Sequence, residues 1–561
     1  MTLTDILLIA ALLVFVLAWW VRKVPARRIV LIASAVAAVV IGIAGFLDDR
    51  WQNVGGAIVG AMFLAGLGGV VLKNRFTKTD RTGGVPWFSG VFITLGLAAT
   101  TATILIFPVW PLPKPSGQYA VGVRPFEISD ASRKGVFTAE PDAPRRLLVR
   151  VWYPAQSTSG DPAPYFNAAE MTSTVPSIGR LAGVPFFFSY VRHVKTNSFQ
   201  NAPLLADAIN LPVVFYSHGY TSYLNQNTAL MEELASHGYL VFSVQHTYDS
   251  ADTAFLNGDV APTDPKMTET MSEESGRPSQ VDAFGGDTLD KRIVAALAFQ
   301  EFAVRNGSRI AIASTKQWVA DRLFLHDTSQ NNPPKEIADI ALAGDLDRVG
   351  EAGMSFGGAI SGEICMIDSR CAAGVNMDGG NFPFSSFNAD IPAPFLMFHS
   401  DPAYLYEAME RPLPEGGAPR SFNEFSYERI ATAGSRPDVY RVSLKQTQHL
   451  GLSDSAWFVG QPVRGMLFGE ASAETMLGAQ NAFIRGFFDK HLKGEANNFP
   501  APQLAEYEGR VVTIPNSDLP AWWSAKPEAE RAALEARINA VKPRYEAPPD
   551  PDAPAPKPPP T

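Results

Sequence analysis

The chain is 561 residues long and carries 47 Lys and Arg against 56 Asp and Glu, a formal net charge of -9. With an isoelectric point near 5.5 it lacks the basic surface that nucleic-acid binding requires. Its two cysteines, Cys365 and Cys371, form no CxxC pair and lie near no histidine cluster, which argues against a zinc or redox centre.

In chain order, the first feature is a set of apolar segments over residues 3–21, 29–47, 54–72 and 87–107. Each has the roughly 20 residues needed to cross a hydrocarbon core of about 30 Å. The first lacks the basic start and small-residue cleavage site of a removable signal peptide. The loop Val21–Arg28 carries Arg22, Lys23, Arg27 and Arg28, and the loop Lys73–Gly84 carries Lys73, Arg75, Lys78 and Arg81. Between them lies a short acidic loop with Asp48 and Asp49 against Arg50. Basic loops stay cytoplasmic, so the expected topology is an integral membrane protein of four spans. Its N-terminus and everything beyond residue 110 then lie on the periplasmic or extracellular side. Trp19, Trp20, Trp51, Trp87 and Trp110 fall near segment ends, where interfacial aromatics belong. The segments are read as free of ionisable groups, which makes the module an anchor rather than a transport path. Gly56 and Gly60 give a GxxxG spacing that hints at helix packing.

Pro111–Ser116 is a proline-rich exit, after which short β-branched runs alternate with helical patterns. That alternation predicts an α/β fold, a mostly parallel sheet flanked by helices. Strands are expected at Leu147–Tyr153, Val213–Ser217, Leu240–Gln245, Arg348–Gly353, Ala372–Met377, Pro394–His399 and Tyr440–Lys445. Helices are expected at Leu224–His237, Asp290–Arg305 and Met476–His491. Ser250–Gly286, rich in Asp, Thr, Ser, Gly and Pro, reads as a long loop, either a lid or a disordered insertion. The division is then 1–110 membrane module, 111–545 catalytic domain and 546–561 a Pro-rich tail with no means of forming a core.

Residues 353–357 read Gly-Met-Ser-Phe-Gly, a GxSxG elbow. Such an elbow turns a strand sharply into a helix and exposes the serine hydroxyl, the glycines keeping side chains out of the turn. A strand before it and the small-residue run from Gly357 to Ile367 after it supply the required context. Ser355 needs a base, and in the order Ser, acid, His the choices are His399, His449 and His491. His399 is expected to pack at a strand end and His491 to be solvated on a helix, which leaves His449. The acid is Asp378 or Asp401, each at the C-terminal end of a strand where α/β sheets place their sites. The backbone amides of Phe356 and Tyr220 are the expected oxyanion donors, with His218 bracing the loop before Tyr220.

Tyr216-Ser-His-Gly-Tyr, Phe242-Ser-Val-Gln-His-Thr-Tyr-Asp-Ser, Gly353-Met-Ser-Phe-Gly-Gly and Val375-Asn-Met-Asp-Gly, with the entry Arg150-Val-Trp-Tyr-Pro-Ala, resemble in order the platelet-activating factor acetylhydrolase family of the plasma and intracellular type II kind. The resemblance covers roughly residues 118–495 and implies an α/β-hydrolase fold. It places the acid at the end of the strand after the elbow helix, which favours Asp378 over Asp401, and makes His246 structural. It further implies a calcium-independent esterase without metal or organic cofactor, cleaving short or oxidised acyl chains from phospholipids or related esters. The membrane module, the tail and a Gly/Pro-rich loop around Glu407–Ser426 depart from the family pattern and bear on substrate choice. The alternatives are a polyester- or dienelactone-type carboxylesterase acting on soluble esters, a catalytically dead hydrolase-fold binding protein, and a transporter with a fused domain.

Overall fold

The computed structural model describes residues 1–543 apart from 22, 78–86, 139, 141, 159–160, 185, 409, 411, 413–422 and 517. The expected Pro-rich tail, part of the basic 73–84 loop and most of the 407–426 loop lie outside these residues.

The N-terminal part forms four helices, α1 (Leu3–Trp20), α2 (Arg27–Leu47), α3 (Val54–Thr77) and α4 (Trp87–Ile106), each long and apolar enough to cross a membrane. Arg27 reaches back to donate to the Ala18 and Trp19 carbonyls at 2.7 and 2.6 Å, satisfying the open C-terminal end of α1. Gly56 and Gly60 face different neighbours. A Cβ on Gly56 would meet Leu8 of α1 at 2.7 Å, and one on Gly60 the Ala35 carbonyl of α2 at 2.5 Å. The expectation of segments free of ionisable groups fails at Asp5, inside α1. Asp5 and Arg50 are both fully buried and paired at 2.9 Å, and Arg50 also donates to the Phe107 carbonyl at 2.6 Å. The charge pattern misses this because Arg50 belongs to a loop and Asp5 to the first helical turn.

The remaining chain builds an eleven-stranded sheet. The strands are β1 (Ala120–Lys134), β2 (Pro144–Ala155), β3 (Pro162–Pro164), β4 (Lys195–Gln200), β5 (Leu211–Ser217), β6 (Leu240–Gln245), β9 (Gly344–Met354), β10 (Cys371–Met377), β11 (Phe395–His399), β12 (Val439–Leu444) and β13 (Val511–Thr513), while β7 (Thr253–Ala254) and β8 (Val260–Ala261) make a separate hairpin. The order is β13-β12-β11-β10-β9-β5-β6-β2-β1-β4-β3. The run from β6 through β5 and β9 to β12 is parallel, and β2 joins it antiparallel. This is the α/β-hydrolase architecture.

All seven expected strands are present. The sequence reading omits β1, where Gly122 and Pro125 interrupt the β-branched pattern. Pairing with β4 covers only Val121–Val123, so Pro125 sits where β1 has a neighbour on one side only, a position that tolerates a missing N–H. Ser250–Gly286 is not a bare loop. It folds into the β7–β8 hairpin and the helices Met267–Ser275 and Pro278–Gly285. Composition hides these because Asp, Thr, Ser and Pro also serve as caps and turn formers. The expected helix at Leu224–His237 is shortened to Thr228–Ser236, preceded by turns in which Gln226 N–H bonds the Tyr223 carbonyl and Thr228 N–H the Asn225 carbonyl.

Alternate residues of the parallel strands feed two cores. Val214, Tyr216, Val241, Val375 and Leu396 pack with Phe483 and Phe487 of the helix Ala473–His491. Val213, Phe215, Leu240 and Phe242 pack on the other face with Leu325 of the helix Thr315–Asn331. Burial on both faces is what a parallel sheet demands. Cys365 and Cys371, open to either state by sequence, are joined by a disulfide.

Helix packing in the membrane module makes one contrast testable. Gly60→Val should cost about 1–3 kcal/mol by overpacking against α2, whereas Gly66→Val, with nothing within 4 Å of its Cβ position, should be silent. Thermal midpoints in detergent micelles check this, and equal midpoints for the two variants would contradict the packing.

Candidate active site

The strand order changes its sense of progression at β5, with β6 on one side and β9 on the other, all three parallel. Crevices form at such switch points outside the C-terminal strand ends. Ser355 follows β9 there, at φ 57° and ψ -125°, a left-handed backbone that non-glycine residues rarely adopt. The turn is tight enough to dictate its neighbours. A Cβ on Gly353 would meet Gly357 backbone atoms at 2.3 Å, one on Gly357 the Ser217 carbonyl at 2.1 Å, and one on Gly358 the Asn376 side chain at 2.4 Å. Ser355 N–H donates to the Met377 carbonyl at 2.7 Å, fastening the turn to the neighbouring strand.

His449 begins a short helical turn just past β12. Its Nε2 lies 2.9 Å from Ser355 Oγ and its Nδ1 lies 2.7 Å from Asp378 Oδ2. Asp378 stands at the end of β10, where Ser400 N–H and Oγ–H donate to its two oxygens at 3.1 and 2.6 Å. Burial drives the Asp378 carboxyl up, but the facing His399 and His449 rings outweigh it and hold it well below the usual carboxylate range. The geometry therefore gathers Ser355, His449 and Asp378. The alternative acid Asp401 points elsewhere, accepting from Lys445 Nζ at 2.7 Å and Gln446 N–H at 3.0 Å.

The other histidines separate clearly. His399 is buried at the end of β11 with Nδ1 3.6 Å from Asp378 Oδ1. His491 is half-buried rather than fully solvated. It lies against Phe487 and Tyr440, and burial lowers it to about 4. His218 Nε2 accepts from His246 N–H at 3.2 Å, which leaves Nδ1–H to donate to the Gly219 carbonyl at 2.7 Å. It braces the loop before Tyr220, and burial with His246 nearby lowers it to about 3. His246 is stacked on Trp318 at 3.8 Å and bonded to Asp321 at 3.0 Å, a structural position.

Neither the Phe356 nor the Tyr220 amide has an acceptor among the described residues. Both residues, with Gly219 and Ser355, line one cleft of about 480 Å³. Gly219 lies directly over the serine, since a Cβ there would be 3.3 Å from that of Ser355. Gln226 holds this loop in place by accepting the Gly219 N–H at 2.7 Å. No local motif marks Gln226, Asp321 or Trp318, because each reaches the site only through tertiary contact. Ile178, Leu181, Phe188, Leu450 and Phe468 give the cleft apolar walls, while Met271 and Gln280 come from the refolded 250–286 segment.

A serine in a strained strand-to-helix turn, backed by a histidine and a carboxylate on later strand ends, is the arrangement found in the serine-hydrolase class of α/β proteins. Within that class, the family described as platelet-activating factor acetylhydrolase, isoform II, matches residues 106–277. Canine platelet-activating factor acetylhydrolase (Canis lupus familiaris) is 23% identical over 305 residues, 52% of this chain and 60% of that protein. The guinea-pig enzyme (Cavia porcellus) is 25% identical over the same shares. A probable 1-alkyl-2-acetylglycerophosphocholine esterase of Arthroderma benhamiae is 23% identical over 329 residues, 54% of this chain and 70% of that protein. The chain thus spans 60% of the length of the two mammalian relatives. A ferulic acid esterase from Streptomyces cinnamoneus superposes with a TM-score of 0.49 at 22% identity, covering 72% of this chain and 100% of its own. The α/β domain is similar over part of its length to the platelet-activating factor acetylhydrolase family.

The buried charges fix an acid sensitivity. His218 binds a proton near 6.5 when unfolded and only at about 3 when folded. The stability contributed by its neutral form is therefore intact above 6.5 and is lost as pH falls toward 3, with a limiting slope of about 1.4 kcal/mol per pH unit. Asp378, depressed when folded, loses its contribution in the same direction at the low end. The thermal midpoint should drop between about pH 7 and about pH 4.5, and drop less in His218→Gln; identical profiles for the two proteins would contradict this.

Proposed function

We propose that the protein is a membrane-anchored serine ester hydrolase in which Ser355 is the nucleophile, His449 the base and Asp378 the acid. The observation that carries this reading is the continuous Ser355–His449–Asp378 hydrogen-bonded chain, at 2.9 and 2.7 Å, mounted past the C-terminal ends of the parallel strands β9, β12 and β10. His449 Nε2 takes the Ser355 proton as Oγ attacks the ester carbonyl, and Asp378 stabilises the imidazolium that forms. The Phe356 and Tyr220 amides receive the oxyanion, an interaction worth about 3–4 kcal/mol per donor in comparable sites. Collapse expels the alcohol, which takes the proton from His449 and leaves an acyl-serine. Water activated by His449 then attacks that ester and returns the enzyme.

Short or oxidised acyl esters of phospholipids are the proposed substrates. The names of the acetylhydrolase and glycerophosphocholine esterase relatives support this class, as do the apolar cleft walls and the exposed Leu450 beside His449. The catalytic domain is placed on the outer side of the membrane. The basic Val21–Arg28 loop supports an inward orientation for the opposite end, and the Cys365–Cys371 disulfide suits an oxidising compartment.

Asp378→Asn should lower kcat by about four orders of magnitude, while Asp401→Asn should cost stability and leave kcat within about tenfold. Steady-state kinetics on the two variants checks the acid, and equal losses would sink the assignment. In a panel of short-acyl phospholipid against soluble aryl ester of the same acyl length, the phospholipid should show the higher kcat/KM. The reverse preference would move the reading to a soluble-ester hydrolase.

A further inference from the structure

A fully buried ion pair at the end of the module that faces the soluble domain is costly to assemble and costlier to break. Arg50 is fully buried, paired to Asp5 at 2.9 Å, and donates to the carbonyls of Phe107 and Ile104 at 2.6 and 3.3 Å. One guanidinium thereby ties the start of α1, the α2–α3 turn and the end of α4. Its fourth neighbour belongs to the soluble part: the Tyr190 ring, whose centroid is 5.8 Å from the guanidinium carbon. Tyr190 is fully buried, and its hydroxyl donates to the Phe458 carbonyl at 2.8 Å.

Phe458 closes the pair of helical turns, His449–Leu452 and Asp454–Trp457, that carries the base. The same loop is pinned once to the end of α4 and once to the exit segment that follows it. Gly460 N–H donates to the Ile106 carbonyl at 2.6 Å, and Trp457 Nε1 to the Pro111 carbonyl at 3.0 Å. The cleft wall is held from the same side. Trp51 Nε1 donates to the Phe187 carbonyl at 3.0 Å, beside Phe188, which lines the cleft.

We propose that Arg50 and Tyr190 are positioning residues for His449, so that the end of the membrane module facing the soluble domain is a working part of the active site. The inference rests on Ser355 and His449 being nucleophile and base. Neither positioning residue touches substrate. They fix the loop on which the imidazole rides, and a displacement of the base by about 1 Å is enough to cost up to a hundredfold in rate.

The test uses the full chain in detergent micelles with a soluble short-chain aryl ester and a fluorophosphonate probe. Tyr190→Phe removes one hydroxyl and keeps the ring, and Arg50→Lys keeps the charge facing Asp5 while losing the fork to the α4 carbonyls. Each should lower kcat and the labelling rate by roughly fivefold to twentyfold, with KM within about twofold. The double variant should be no worse than the poorer single one, as expected for residues acting along one line. Trp20→Phe, which loses a bond to Thr94 inside the module, should match wild type. Wild-type kcat in Tyr190→Phe and Arg50→Lys, or losses that multiply in the double variant, would overturn the proposal. Ser355→Ala keeps the two questions apart: if it labels like wild type, the reading of the site itself is wrong, whatever the positioning variants do.

Discussion

The backbone of Ser355, held at φ 57°, is the constraint from which the rest of the site follows. A non-glycine residue in that region costs about 1–3 kcal/mol and persists only where its surroundings over-determine it. Here they do. Gly353, Gly357 and Gly358 each stand where a Cβ would strike backbone or a buried amide, and the Ser355 amide is fastened to β10. The strain places the hydroxyl above the strand ends at the switch point of the sheet. A histidine from the loop after β12 and a carboxylate from the end of β10 then meet it.

Behind this turn lies a layer of buried polar groups without direct access to the cleft. Asp321 accepts from Arg145 at 2.7 Å and from His246 at 3.0 Å, and burial is outweighed by these partners so that its carboxyl stays well below the usual range. His246 in turn approaches the Ser217 hydroxyl at 3.2 Å, one residue before His218. Such a layer is costly to assemble and costlier to break, because removing one partner strands the other in a low dielectric. It fixes the loop that presents the Tyr220 amide, with Gln226 locking the opposite side.

The central sheet was largely legible in the sequence because parallel strands buried on both faces need continuous apolar runs, and β5, β6, β10 and β11 have them. The GxSxG elbow was legible because its glycines answer a local steric demand. His449 could be reached by elimination, whereas the choice between Asp378 and Asp401 needed the resemblance, both being aspartates just past strand ends. What stayed hidden is what depends on distant pairing. β1 gains its order from β2 rather than from its own pattern. The 250–286 segment folds against the cleft despite its polar composition. Asp5 reads as one residue at a helix start until Arg50 is brought to it from 45 positions away.

Membrane module and catalytic domain therefore meet through specific polar contacts at the edge of the cleft. Their joint consequence is a serine hydroxyl bonded to His449 and held in place from several sides. The most direct measurement is peptide mass spectrometry of the full chain after fluorophosphonate treatment. The account predicts a single adduct on the peptide containing Ser355, formed in step with loss of esterase activity. An adduct on another residue, or activity surviving full modification of Ser355, would contradict it.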